Sequence, residues 1–211
     1  ENSLMLVSRS PLNGISSLQH KKIGVWNHLS QELLDQIANK YQLQVEWIRF
    51  NSGVNIFLSK AVDICLVGSY NEFLQLAESG IKADSIHIMH FSDYGYNIPE
   101  DGLYVTKEFF QKHPQTVQKL VRASIRGWEW ANEHREQTLD IVMEQVHRYN
   151  IGTNRYHQCK MLDEILRLQT NKKSGQRPYR LSREEFDLAT SILLPDQTQN
   201  KNDLRYENFV K

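Results

Sequence analysis

Through residue 98 the chain alternates short apolar runs with segments of helical spacing. Residues 3–7 read as a short apolar strand, and Pro11, Asn13 and Gly14 mark the turn after it. Residues 22–26 form a second strand signal. Ser30 is positioned to cap a helix with Glu32 in its first turn, and Leu33, Leu34, Ile37, Ala38 and Tyr41 continue at helical spacing. Residues 45–50 are β-branched and aromatic, as a strand requires, and Asn51, Ser52 and Gly53 break them before a short helix over 54–59. Residues 62–67 are almost continuously apolar, the pattern of a strand covered on both faces. A helix over 71–79 closed by Gly80 and a strand over 86–91 complete this part. Strands separated by helices imply βαβ units and a mostly parallel sheet.

After residue 98 the period becomes helical. Thr106 caps a short helix with Phe109 and Phe110, and Pro114 stands where its missing N–H costs nothing. Val117, Leu120, Val121, Ile125, Trp128 and Ala131 then make one stripe, and Leu139, Val142, Met143 and Val146 another. Thr153 opens a helix through Leu162, Ile165 and Leu166. Ser182 with Glu185 is a capping box ahead of Phe186, Ala189 and Leu193, and Pro195 follows the end. Lys172-Lys173-Ser174-Gly175 reads as a solvated basic loop.

Composition removes several function classes. Lysine plus arginine is 25, aspartate plus glutamate is 25, and the formal net charge is zero, so the basic surplus of a general nucleic-acid binder is missing. Cys65 and Cys159 are far apart, which excludes a zinc ribbon or a disulfide scaffold. The longest apolar run, Ile64-Cys65-Leu66-Val67, is too short to span a bilayer. The chain opens on Glu1 and reads as a mature or cut product. Glycine-rich phosphate loops, the G-x-S-x-G elbow and H-E-x-x-H are absent. His87 and His90 point to opposite faces of one strand, so no metal is expected. No cofactor and no catalytic residue is expected either.

One cluster stands apart. Gly68-Ser69-Tyr70-Asn71-Glu72 follows a buried strand, and the carboxyl ends of such strands are where α/β folds place ligands. Trp26 and Asn27 end a second strand, and Asp93-Tyr94-Gly95-Tyr96 ends a third. Aromatic faces beside amide and carboxylate groups suit a flat small molecule, with Trp26, Asn27, Tyr70, Asn71, Glu72 and Tyr94 as candidate ligand contacts. Packing aromatics and a helix-capping Asn71 would produce the same spacing.

Several stretches together resemble the thiamine-pyrimidine-precursor family of periplasmic substrate-binding proteins, relatives of the nitrate, taurine and sulfonate binders of ABC importers. SLQHKKIGVW, from Ser17 to Trp26, is similar to that family's DLKGKKIGVW. Ala61-Val62-Asp63-Ile64 through Tyr70-Asn71-Glu72 resembles its AVDA…YNE segment. Asp93-Tyr94-Gly95, the run from Pro99 to Thr106, Trp128 and Tyr206-Glu207-Asn208-Phe209 resemble its return and its helical tail.

The resemblance implies an α/β fold of the type II periplasmic binding kind, two-lobed, without the first β-α units of lobe 1 and with a helical C-terminal part. Residues 1–21 would end the N-terminal part of lobe 1, 22–98 would form lobe 2, and 99–211 would return to lobe 1. It implies a periplasmic or extracytoplasmic protein that binds a small heteroaromatic solute, a thiamine pyrimidine precursor, and hands it to an ABC permease. The same domain also serves as the sensor of membrane histidine kinases and cyclases, with a downstream signalling domain as partner. Pyrimidine-synthesis enzymes of the family carry a reactive lysine and histidine in an opening segment that does not map here. An incomplete lobe 1 would leave apolar helix faces open to self-association or to a completing fragment.

Overall fold

The structure, a computed structural model, describes residues 2–26, 28–171, 174–194 and 205–210, with the backbone alone at 28–30 and 83. The chain divides into two compact units, Glu1–Pro99 with Thr170–Lys211, and Glu100–Gln169.

The first unit is built on a five-stranded sheet, β1 (Leu4–Ser8), β2 (Lys22–Val25), β3 (Glu46–Arg49), β4 (Ile64–Gly68) and β5 (His87–His90), in the order β3-β2-β4-β1-β5. β2 runs parallel to β3 and β4, whereas β1 is antiparallel to both β4 and β5. The expected parallel sheet is therefore a mixed one, with β1 inserted against the direction of its neighbours. Direction was not readable from β1 itself. Met5, Leu6 and Val7 are all buried, so both of its faces are covered and its pattern is the same read either way. The strand assigned from sequence to the end of lobe 1 thus lies inside the sheet that was expected to begin at residue 22.

Helices cover both faces. On one, α1 (His28–Lys40) and α8 (Arg183–Leu193) pack over Leu6, Ile23, Val25, Ile64 and Leu66, through Leu33, Leu34 and Ile37 of α1 and Ala189, Ile192 and Leu193 of α8. On the other, α2 (Asn55–Leu58) and α3 (Glu72–Glu78) bring Phe57 and Leu76 onto Met5, Val7, Cys65 and Val67. The alternation Met5/Leu6/Val7 and Ile64/Cys65/Leu66/Val67 divides between these cores as the strand period demands. α8 begins at the expected capping box: the Ser182 hydroxyl accepts from the Glu185 N–H at 3.1 Å and the Glu185 carboxylate from the Ser182 N–H at 2.8 Å. The expected lobe 1 return over 99–211 is therefore divided, because α8 and α9 (Tyr206–Phe209) belong with the sheet. Ser30 lies inside α1 rather than capping it. Pro195 and Lys172-Lys173 fall outside the described residues.

The second unit holds α4 (Lys107–Lys112), α5 (Pro114–Glu133), α6 (Arg135–Arg148) and α7 (Arg155–Gln169). Thr106 caps α4 by accepting from Phe109 N–H, and Pro114 opens α5, both as expected. Asn154, not Thr153, caps α7: its Oδ1 accepts from His157 N–H at 3.0 Å. The core is small, with Leu139, Leu162 and Leu166 buried beside Trp128 and Cys159. No described helix is long and apolar enough to cross a membrane.

Candidate functional site

The strand order fixes where the sheet can hold a ligand. From β2 the chain moves outward through α1 to β3; from β4 it moves through α3 to β5 on the opposite side. β2 and β4 are neighbours, paired at Ile23 with Ile64 and Gly24 with Cys65. The connections leave in opposite directions at the carboxyl ends of these two strands, the topological switch point where open α/β sheets place their ligands. β2 leads into Trp26, and β4 leads into Ser69, Tyr70, Asn71 and Glu72.

The antiparallel β1 adds its amino end to the same edge. Leu4 stands opposite Gly68, and the Ser69 N–H donates to the Ser3 carbonyl at 2.9 Å. Asn2 fastens this end to the segment after β5. Its Nδ2 donates to the Tyr96 carbonyl at 3.2 Å, its N–H donates to Asn97 Oδ1 at 2.8 Å, and its Oδ1 accepts from Leu4 N–H at 2.6 Å. Sequence reasoning missed Asn2 and Ser3, because their roles depend on the reversed strand.

Glu72 is half-buried and held at both oxygens. Gly68 N–H donates to Oε2 at 3.2 Å and Asn71 Nδ2 donates to Oε1 at 2.8 Å. Gln75 Nε2 in turn donates to Asn71 Oδ1 at 3.1 Å. Asn71 occupies the cap position of α3 without a side-chain cap bond, its amide serving this chain of bonds instead. Gly68 makes the closeness possible: a Cβ there would lie 3.3 Å from Glu72 Oε2 and 3.5 Å from the Tyr70 ring. The carboxylate is felt beneath the sheet edge. Burial first, and the Glu72 charge second, push the Cys65 thiol from 9.0 up to about 12. Gln75 was legible only as the residue four after Asn71 on a helix, a spacing that places both on one face.

Trp26 is half-buried and packs against both cores of the sheet unit, and its buried Nε1–H meets no acceptor among the described residues. Trp26 and the segment Tyr70, Asn71 and Glu72 thus follow the carboxyl ends of two adjacent strands. Tyr94 lies elsewhere along the edge: it follows β5, which β1 separates from β4, and it is 38% exposed. Asn27 lies outside the described residues. Among the described residues no group of three or more His, Cys, Asp or Glu side chains is arranged to hold a metal.

Comparison with known proteins agrees with this architecture. The riboflavin-binding protein RibY of Chloroflexus aurantiacus is 22% identical over 176 residues, covering 80% of this chain and 48% of RibY. The chain therefore spans about half the length of that relative. The aliphatic sulphonate binding protein SsuA of Escherichia coli superposes with a TM-score of 0.61 at 14% identity, over 91% of this chain and 58% of SsuA. A putative sulfonate-binding SsuA of Methylobacillus flagellatus KT gives 0.54 at 17% identity, over 94% of this chain and 60% of that one. At such identities the likeness is one of fold, that of two-lobed periplasmic binding proteins. The model described as NMT1/THI5 like matches residues 1–138, and by that match the chain belongs to the NMT1/THI5-like family.

Proposed function

We propose that the chain is the ligand-recognising part of an extracytoplasmic solute-binding protein that captures a small heteroaromatic solute and delivers it to an ABC permease. The observation that carries this reading is the switch point itself, where Trp26 and the Tyr70–Glu72 segment end adjacent strands. A planar ring stacked on Trp26 or Tyr70 would gain about 0.5–1.5 kcal/mol beyond area burial. Glu72 accepts from ring-borne N–H groups, and charge-assisted bonds of this kind are short and strong. An aminopyrimidine, as in a thiamine pyrimidine precursor, presents such donors on one edge. Riboflavin is the second candidate, on the strength of the RibY relative.

Binding fits the site better than catalysis. The Cys65 thiol in β4, with its pKa pushed up to about 12, stays protonated at neutral pH and is a poor nucleophile. The apolar side chains exposed in the second unit, Leu103, Tyr104 and Leu120 among them, support self-association, to be read from sedimentation velocity across a concentration series.

The test is titration calorimetry of the chain with hydroxymethyl-aminopyrimidine and with riboflavin. Glu72→Gln keeps the size and removes the charge, and should weaken binding by about 1.5–3 kcal/mol, roughly tenfold to a hundredfold. Trp26→Ala should remove much of the ligand-induced change in Trp fluorescence. Equal affinity in Glu72→Gln and wild type would take Glu72 out of the site and the pyrimidine with it.

A further inference from the structure

We propose that the outer face of α5 is the contact of a symmetric dimer, in which α5 of a second copy lies antiparallel across it. The inference rests on the self-association drawn above from the second unit's exposed side chains, gives it a place and a geometry, and needs no ligand.

α5 carries two stripes. Val117, Val121, Ser124 and Trp128 are partly covered and Ala131 is buried, so this stripe is the one turned to the helix's own unit. Leu120, Ala123, Gly127 and Trp130 make the other, spaced by three and four residues. All of them are exposed, Leu120 by 48% and Trp130 by 39%. Alternating steps of three and four are the seam along which two helices pack. Trp130 is already held for such a contact: its ring stacks on His134, with centroids 4.8 Å apart and planes 8° apart. Little side-chain freedom is then lost on docking. Gly127 has no use within the chain. Glycine inside a helix is disfavoured against alanine, and a Cβ at Gly127 would meet nothing within 4 Å. On an exposed stripe a glycine permits the close approach of a backbone from outside.

Charge selects the occupant. Lys119, Arg122 and Arg126 come first along α5, and Glu129 and Glu133 end it. Each is exposed, and none forms an ion pair among the described residues. For a lone helix this order is unfavourable. Arg122 and Arg126 repel one turn apart, as do Glu129 and Glu133. The first turn holds no acid and the last no base, against the macrodipole. An antiparallel copy answers both faults. With a two-fold axis at the level of Ile125, Leu120 of each chain lies opposite Trp130 of the other, and Ala123 opposite Gly127. The same register sets Lys119 beside Glu133 and Arg122 beside Glu129, and brings the opposite ends of the two macrodipoles together. An anionic membrane or an acidic protein would answer only the basic half.

The experiment is sedimentation equilibrium of the full chain over about a hundredfold range of concentration. Wild type should pass from monomer to dimer and no further, because a two-fold contact is closed. One helix pair is a small contact, so the dimer is weak and dissociates at the dilution of a denaturation experiment. Gly127→Leu should weaken the dimer by at least about tenfold while the melting temperature of the dilute chain holds or rises. A chain with Lys119→Glu and Arg122→Glu, and one with Glu129→Lys and Glu133→Lys, should each lose the dimer alone and form a heterodimer when mixed. Mixing does not rescue a misfolded chain. A dimer of wild-type strength in Gly127→Leu and in both charge variants places self-association on another face and overturns the inference. A wild type that stays monomeric throughout overturns it together with the self-association, and leaves the solute-binding reading standing. Binding of that monomer to phosphatidylglycerol vesicles, lost with Lys119→Glu and Arg122→Glu, would make a membrane the occupant and overturn it as well.

Discussion

The sheet unit and the helical unit are made of similar residues and hold together in different ways. In the sheet unit every residue of β4 is buried, and Phe57, Leu6, Leu66 and Val67 are all at or near zero exposure. In the helical unit, α5 runs for 20 residues with only Ala131 buried, and Leu120, in the middle of its apolar stripe, is 48% exposed. What ties α6 to α7 is largely at the surface: Arg155 reaches Glu136 and Asp140, both at 2.7 Å, and Arg135 pairs with Asp163. Helical spacing alone therefore does not create a core. The stripe of α5 is as regular as that of α1, but α1 lies against a sheet and α5, within its own unit, does not.

The largest test of this contrast is a matched truncation. Leu66→Ala truncates a fully buried side chain in the larger of the two sheet cores and should cost about 2–5 kcal/mol in urea denaturation. Leu120→Ala makes the same chemical change on α5 and should shift stability by no more than about 0.5 kcal/mol. Similar losses at the two positions would mean that α5 is covered in solution by something beyond its own unit.

The same contrast explains what the sequence allowed to be read. β1 to β5 and α1 to α8 were legible, because period two and period 3.6 are local properties of the side chains. The capping box at Ser182 and the Pro114 helix start were legible for the same reason, since their partners lie within one turn. The reversal of β1 was not, because strand direction is set by pairing with β4 and β5, some sixty to eighty positions away, and leaves no mark on a strand buried on both faces. That reversal determines which backbone lies beside Gly68, so Asn2 and Ser3 were invisible as site neighbours. The Tyr70–Glu72 cluster was found from its place after a buried strand. Gln75 was missed because its bond to Asn71 runs between side chains, which the pattern of apolar positions does not record.

A second test uses the two cysteines, one in each unit. Cys65 is buried, whereas Cys159 is only partly covered, so a thiol reagent should modify Cys159 first and reach Cys65 only on unfolding. Cys65 also makes the sheet unit sensitive to alkali. Its folded pKa, about 12, lies above the ordinary 9.0, so the folded state holds its proton more tightly than the unfolded one. The stabilisation is fully present below pH 9 and is lost as pH rises toward 12, with a slope of about 1.4 kcal/mol per pH unit. Cys65→Ala should flatten that slope in denaturation at graded pH, whereas Cys159→Ala should leave it unchanged. An unchanged slope in Cys65→Ala would assign the alkaline loss to other groups.

Helix caps give a smaller difference. Ser182→Ala removes the hydroxyl that accepts from the Glu185 N–H, the side-chain half of the capping box, on a helix seated against the main core, and should cost about 1 kcal/mol of global stability. Thr106→Ala removes a comparable cap from α4, a six-residue helix with no buried residue. Its effect should be local fraying, seen as faster amide exchange at Phe109 and Phe110 without a shift in the urea midpoint. A midpoint shift equal to that of Ser182→Ala would show α4 to be part of the cooperative core.

The smallest effect, and the most selective, is that of salt. Ion pairs between exposed side chains are screened within about 10 Å at 0.1 M ionic strength and within about 3 Å at 1 M. Burial of apolar surface is not screened in this way. The pairs of Arg155 with Glu136 and Asp140, and of Arg135 with Asp163, join α6 to α7 through side chains that are all well exposed. The Arg155 pairs hold its guanidinium pKa above the ordinary value, through hydrogen bonds first to Glu136 and then to Asp140. Raising sodium chloride from about 0.05 M to about 1 M should therefore speed amide exchange in α6 and α7. Exchange in β2 and β4, which no such pair crosses among the described residues beyond Lys22 with Glu46, should hold steady. Arg155→Gln at low salt should reproduce part of the change in α6 and α7 and leave a smaller salt dependence, that of Arg135 with Asp163. If salt altered both units alike, the ion pairs would be incidental, and Leu139, Leu162 and Leu166 would suffice to hold α6 and α7 together.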